Sequence, residues 1–576
     1  MADPLSIAAS TAGLISLSLQ LFGGCIKGFV LLSTAQNLGK HASAIECILN
    51  IQEIQLTDWA RRAGLLTGDE TLDPRLNSNA VEMILQQLQD LLLDTEKLKK
   101  RYGLKLVQNE HSTQQTTAQL HNHSLSEVDR VFTGVSDDTR RQILARAKWA
   151  AVDKDNIEKL AADIHFLVRE LWNLLDPTRH DDFLNSTKDI VSNMVSLNNK
   201  FDQLFSLSEA LKALQSESRG MKALAASAEV KALRICLDES DEAPATQQDT
   251  NAPRRRKLLE KLEPLSSKKL INFKPLKKNE NIGLANYDGK VVVVEKKQIT
   301  NMPWSKILPR VENLAALLNA PKDETFRSLL CKGIVVEDAT VSFVFHHPTP
   351  DNLVEPRSLL DLFSARDGIE PPSLTDRIQL ALSITRLVQN FHRAAWLHKS
   401  LRSQNILFFP QADGTIPLND PFLAGFALAR FGSPTEISEQ PSANPKFDIY
   451  RHPHALGDPT TNFSAAMDVY SLGAVMLEVA EWRALQYLVG SVVDVNADNV
   501  PFTQLAKVRP FLLGEGGKFS TSKLRYRVGN VYTAACLMCL TGDLSSMDHA
   551  EKYNATPFEI GSLIDTTVRQ LERCNI

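Results

Sequence analysis

The chain has 576 residues, 43% apolar and 23% charged, with a formal net charge of −4. That length suits roughly three to four average domains or two larger ones, and the composition is that of an ordinary globular protein. The charge balance excludes a general affinity for nucleic acid or anionic membrane, and seven scattered cysteines argue against a disulfide framework and for a reducing compartment.

The first element carries no charge from Pro4 to Ile26, and Lys27 is the only charge before Lys40. A helical run of that length can span a bilayer. Asp3 stands where a secretory signal would carry Lys or Arg. Ser6, Ser10, Thr11, Ser16, Ser18 and Gln20, with Gly13, Gly23 and Gly24, interrupt the apolar run. Two readings stay open: a helix buried in a bundle, or a segment that leaves its bundle and enters a membrane. On the second, Leu14, Leu17 and Leu21 supply apolar surface, and Gly24 and Gly28 form the Gly-x-x-x-Gly spacing that lets helices approach closely in lipid.

Helical periodicity follows. Ile45, Ile48, Leu49, Ile51 and Leu56 fall near one face closed by Trp59. Val81, Ile84, Leu85, Leu88, Leu91, Leu92 and Leu98 repeat at helical spacing behind a start signal at Asp73-Pro74. A polar loop is expected over 108–126, then one or two helices ending at Asp176-Pro177, then polar-faced helix to Cys236. No strand is expected before residue 235, so residues 1–230 read as an all-α bundle.

Residues 231–278 read as a linker. "LDESDEAPATQQDTNAP" is acidic, then polar, and Arg254 to Lys278 carries ten basic and two acidic residues. The basic run reads as a solvated connector, a nuclear-targeting patch or a contact for anionic headgroups. From residue 279 the pattern turns to strands, with a hairpin expected at Asp288-Gly289. A helix is expected at Val311 to Leu318, strands at "GIVVED" and "TVSFVF", and a long helix capped by Ser or Thr ahead of Asp376. Helices dominate thereafter, and Cys536 and Cys539 read as buried core thiols. Residues 279–572 thus read as an α+β bilobal domain, and the whole chain as multidomain.

Within that domain "HKSLRSQN" matches the spacing of the protein-kinase catalytic loop, with His398, Lys399, Leu401 and Asn405 in register. Downstream, "GFALAR" stands where the metal-binding D-F-G would be, keeping Phe426, and "YRHPH" carries His454 in place of a glutamate. "DVYSLGAVMLE" supplies Asp468 on the buried large-lobe helix. These residues resemble the protein-kinase family over roughly 280–570.

The resemblance implies a fold whose chemistry is missing. Ser400 replaces the aspartate that accepts the substrate proton, and Gly425 replaces the aspartate that holds magnesium. No Gly-rich phosphate loop precedes the first strands, and alternation leaves either Glu295 or Lys296 at the place of the phosphate-pairing lysine. The region therefore reads as a pseudokinase with no cofactor and no metal site. Residual nucleotide binding would fall to Lys296 and Asn405, while an active atypical kinase would need a substitute metal ligand such as Asp420.

"MADPLSIAASTAGLISLSLQLFGGCIKGF", "LGKHASAIECILNIQEIQLTDWARRAGL" and the helix led by Lys148-Trp149 and closed by Leu175 resemble the fungal HeLo, or prion-inhibition and propagation, domain. That resemblance implies a bundle that self-associates, perforates membranes and drives cell death in heterokaryon incompatibility. In architecture the chain resembles the mixed lineage kinase domain-like protein of animal necroptosis. The implied function is a non-enzymatic cell-death or non-self-recognition effector, cytoplasmic at rest and relocating to membrane lipid under an upstream activator. The implied partners are lipid, other copies of the bundle and that activator, and no nucleic acid. The competing readings are a soluble oligomerising scaffold and an atypical kinase.

Overall fold

A computed structural model describes residues 17–33, 42–66, 72–102, 104–107, 148–151, 154–175, 180–213, 219–238, 252–262, 265–299, 304–350, 353–363, 370–426, 429–431, 443–456, 463–497, 500–515, 519–542 and 557–574. Two compact units result, one of residues 1–194 and 202–225, the other of 195–201 and 226–576.

The first unit is helical: α1 (Leu17–Ser33), α2 (Ala42–Arg62), α3 (Ser78–Leu93), α4 (Thr95–Tyr102), α5 (Lys154–Asn173), most of α6 (His180–Leu197), α7 (Phe201–Ala213) and the start of α8 (Arg219–Asp238). Phe22, Cys25 and Phe29 of α1 join Trp59, Leu85, Leu88, Val168 and Trp172 in one buried cluster. The α1 and α3 helices run side by side in the same direction: Ser18 Oγ meets Glu82 at 3.2 Å, and Gly28 lies against Leu92 further along.

Two features of this unit depart from the sequence expectation. Strands β1 (Leu104–Val107) and β2 (Lys148–Ala151) pair antiparallel, so Lys148-Trp149 belongs to a ribbon and not to the start of a helix. Each strand is four residues long and its partner is some forty residues away, too little for a local pattern to register. In addition, α3 starts at Ser78, where the Asn77 side chain accepts the Ala80 N–H. Asp73 instead makes a turn and holds Arg75.

The second unit opens with a five-stranded antiparallel sheet in the order β3-β4-β5-β7-β6, built from β3 (Leu270–Leu276), β4 (Asn279–Tyr287), β5 (Lys290–Gln298), β6 (Cys331–Glu337) and β7 (Thr340–His346). Asp288 and Gly289 both take positive φ, 55° and 80°, as the expected tight hairpin requires. The unit begins earlier than composition suggests. The second half of α8, a helix α9 (Ala252–Leu259) and all of β3 lie inside the span read as linker.

Helix α10 (Trp304–Asn319) packs on the sheet through Val311, Leu314 and Leu318. Below the sheet lie α11 (Leu374–Arg393), α12 (Ala465–Glu481), α13 (Thr521–Thr541, kinked at Gly529) and α14 (Pro557–Arg573). The Ser373 hydroxyl caps α11 by accepting the Asp376 N–H. Helix α12 is buried continuously from Met467 to Ala480, so it can be read as the centre of this lobe. Cys536 and Cys539 are buried thiols on α13.

Candidate functional site

The cleft between the sheet and the helical lobe is organised from Asp468, in the first turn of α12. Its carboxylate accepts His398 N–H at 2.7 Å, Lys399 N–H at 2.9 Å and approaches His392 Nε2 at 3.3 Å. Lys399 has a φ of 63°, a strained left-handed backbone that these bonds hold. Burial of Asp468 would raise its pKa, but the hydrogen bonds and the nearby histidines outweigh this and leave it lowered. Burial pushes His398 down to about 4. The neutral ring donates from Nε2 to Ala424 O at 2.9 Å and accepts Ser400 N–H at Nδ1.

Ser400 and Asn405 are tied to each other. Asn405 Nδ2 donates to Ser400 O at 2.7 Å and to its hydroxyl at 3.2 Å, and Arg402 Nη1 donates to the same hydroxyl. Asn405 Oδ1 accepts from Asn279 Nδ2 at 3.1 Å, and Asn279 also donates to Gln404 O at 3.2 Å. Asn279 opens β4, immediately after the turn that corresponds in the kinase pattern to the loop over the nucleotide phosphates. That turn is therefore bonded down onto the catalytic-loop backbone. Beside it Lys278 Nζ donates to Leu360 O at 3.1 Å.

Gly425 lacks a carboxylate, and a side chain there would require Asn405 to move. Its φ is 85°, and a Cβ there would lie 2.1 Å from Asn405 Nδ2 and 2.4 Å from Asn405 Cγ. Its N–H donates to Glu295 Oε2 at 2.9 Å. Glu295 is 2% exposed and shares a strand face with Val293 of the main core, whereas Lys296 points to the other face with Nζ 3.8 Å from the Phe273 ring. The sequence left this choice open; the structure puts a carboxylate inward, and Lys296 is turned away from the cleft. Phe426 packs against Trp396, Phe391 and His398 with ring centroids 5.0–5.4 Å apart. These residues do not suit a metal–nucleotide as placed: an inward glutamate repels phosphate, and both ends of the Asn405 amide are engaged. Asp420 pairs with Arg327 at 2.7 Å.

Beneath the loop, Glu478 Oε1 accepts from Tyr450 O–H at 2.6 Å, Leu485 N–H at 2.7 Å and Ser403 O–H at 3.2 Å. Burial pushes its pKa from 4.5 up to about 8. The unfolded carboxyl releases its proton first, so this group's stabilisation is complete below 4.5 and is lost as pH rises toward 8. His398 acts in the opposite sense, contributing fully above 6.5 and losing its contribution toward 4. Between pH 6.5 and 8 the Glu478 effect therefore stands apart from that of His398. Lys231 and Lys322, which burial lowers to about 7, titrate in the same window with the opposite sign and do so in both proteins. The readout is therefore the difference: thermal unfolding should show wild type losing on the order of 2 kcal/mol relative to Glu478→Gln across that window. Equal pH slopes for the two proteins would contradict a protonated Glu478.

In the first unit, Leu14 lies outside the described residues. Leu17 is 54% exposed, and Leu21 is buried. Gly24 and Gly28 both face α3: a Cβ on Gly24 would sit 2.1 Å from Gln89 Nε2, and one on Gly28 2.5 Å from Leu92 Cβ. The glycine face is thus already used inside the bundle. Among the described residues no helix is long and apolar enough to cross a membrane.

Residues 10–234 form a HeLo domain, of prion-inhibition and propagation. A C-terminal segment is similar to a serine/threonine-protein kinase-like protein of Arabidopsis thaliana, 28% identical over 149 residues, which is 25% of this chain. The chain spans only 40% of that protein's length. The architecture is a helical HeLo region followed by a mixed α/β region with antiparallel sheets, consistent with a kinase-like fold.

The HeLo domain also buries a polar seam that apolar periodicity does not reveal. On α2, Gln52 bonds His165 at 3.1 Å and Gln55 Nε2 donates to Thr187 at 2.5 Å, while Trp172 Nε1 donates to Gln55 O at 3.2 Å. Gln52 Oε1, Gln55 Oε1 and Trp59 Nε1 find no partner among the described residues. Groups of this kind cost about 1–3 kcal/mol each when buried unmet. Opening the seam lets water reach them.

Proposed function

We propose that this chain is a membrane-acting effector of cell death or non-self recognition, in which a catalytically silent kinase-like region restrains the HeLo domain. The observation that carries the silent half is Gly425, which offers no metal ligand and whose Cβ position lies against the Asn405 side chain. A ligand or modification that favours one state of this region over the other would supply the switch. The effector half rests on the HeLo family and on a bundle whose polar seam lowers the cost of opening. In this reading the protein is cytoplasmic at rest, self-associates through the HeLo domain and acts at lipid.

Two experiments test the halves separately. The full chain should transfer no phosphate to itself or to generic substrates with magnesium or manganese. Ser400→Asp should not rescue transfer, because the metal ligand is still missing. Magnesium-dependent autophosphorylation by the wild type overturns the silent half. For the effector half, the activated full chain should release dye from anionic vesicles, and Leu17→Lys should abolish release. Leu17 is half exposed at rest, so the lysine leaves folding intact, but it adds about 2.5–3.5 kcal/mol per subunit to insertion. Unchanged leakage by folded Leu17→Lys removes insertion from the account.

A second reading, a soluble oligomerising scaffold, is favoured by one observation: Gly24 and Gly28 are already committed to α3. Dye release from anionic vesicles, expected of the effector and not of the scaffold, separates the two readings.

A further inference from the structure

The outer face of the five-stranded sheet carries a small apolar cluster of Tyr287, Val292, Val294, Val335 and neighbours, covered by Leu265, Leu270 and Phe273. Lysines surround it. Lys296 Nζ lies 3.8 Å from the Phe273 ring centroid and Lys332 Nζ 5.9 Å from that of Tyr287. Lys290 pairs across the hairpin with Tyr287, and Lys269 reaches Asp288 at 3.1 Å in an exposed pair. Lys268 and Lys290 are exposed.

We propose that this lysine-rimmed face is a docking surface of the kinase-like region for an anionic lipid bilayer. The chain as a whole is acidic, with a net charge of −4, so the basic face is a local feature. Ammonium groups spread over one face match a plane of negative headgroups. Single-stranded nucleic acid is the weaker fit, and a duplex is left to the test. Base stacking needs open aromatic faces, and the rings of Phe273 and Tyr287 already lie under lysine cations. The contact is peripheral and does not require the HeLo domain to insert.

The test uses the full chain carrying Leu17→Lys, which blocks insertion and leaves this face unaltered. Binding is read by co-sedimentation with phosphatidylcholine vesicles, with and without phosphatidylserine, at low and high salt. A failure of the HeLo reading appears in dye release and leaves this measurement unaffected. Binding should require phosphatidylserine and weaken with salt, since exposed charges are screened beyond about 8–10 Å. Lys268→Glu/Lys269→Glu/Lys290→Glu should weaken it at least about tenfold. The milder Lys268→Gln/Lys290→Gln pair should give a smaller loss in the same direction, with folding of both checked by circular dichroism. Equal binding to neutral vesicles, binding unchanged by either set, or binding to duplex DNA but not to vesicles would each overturn the proposal.

Discussion

Asp468→Ala is expected to lower the thermal midpoint of the kinase-like region by about 10 °C, from a loss of about 3–5 kcal/mol. The carboxylate is 1% exposed and is the acceptor for two loop N–H groups and the partner of His392. Alanine removes the acceptor and leaves those donors buried without partners. It also frees Lys399 from the bonds that hold its left-handed backbone. Asp468→Asn keeps one acceptor oxygen and should cost clearly less. Because the pKa of Asp468 is lowered in the fold, its contribution is present above the ordinary carboxylate pKa and is lost as pH falls below it. The gap between wild type and Asp468→Ala should therefore narrow on acidification. Differential scanning at two pH values measures both effects, and an unchanged midpoint would mean that Asp468 does not anchor the loop.

How legible this site was depends on the residue. Ser400, Gly425 and Asp468 could be read because the kinase pattern fixes their spacing, and spacing survives loss of chemistry. Glu295 could have been chosen over Lys296 by counting two from Val293, whose burial in the main core sets the inward parity of β5. Asn279 carried no such signal. It follows a lysine pair in a polar stretch, and its bond to Asn405 joins residues 126 apart in sequence. Arg402 and Glu478 were likewise invisible, since a buried charge in a sequence looks like any other charge. In the HeLo domain the apolar stripes of α2 and α3 gave the fold class. The polar seam of Gln52, Gln55 and Trp59 lies on a helix whose periodicity the leucines and isoleucines already account for.

Gly28→Ala is expected to destabilise the resting HeLo domain and to increase dye release from anionic vesicles, whereas Gly24→Ala should do neither. The contrast comes from what each new methyl group meets. At Gly24 the obstacle is the amide end of Gln89, a flexible side chain that can swing away. Replacing a helical glycine by alanine also gains up to about 1 kcal/mol of helix propensity. At Gly28 the obstacle is Leu92 Cβ at 2.5 Å, an atom fixed to its backbone, so α1 and α3 must move apart at about 1–3 kcal/mol. The described part of α1 is 17 residues, about 25 Å long, short of the roughly 30 Å hydrocarbon core. Insertion therefore needs more of the uncharged run than α1 alone, and the Gly28 contact acts first as a latch on that run. If the glycine spacing instead served to pack inserted segments together in lipid, both substitutions would reduce leakage and neither would raise it. Leakage and thermal midpoint measured on the two variants decide the matter: reduced leakage from Gly28→Ala in a folded protein would refute the latch.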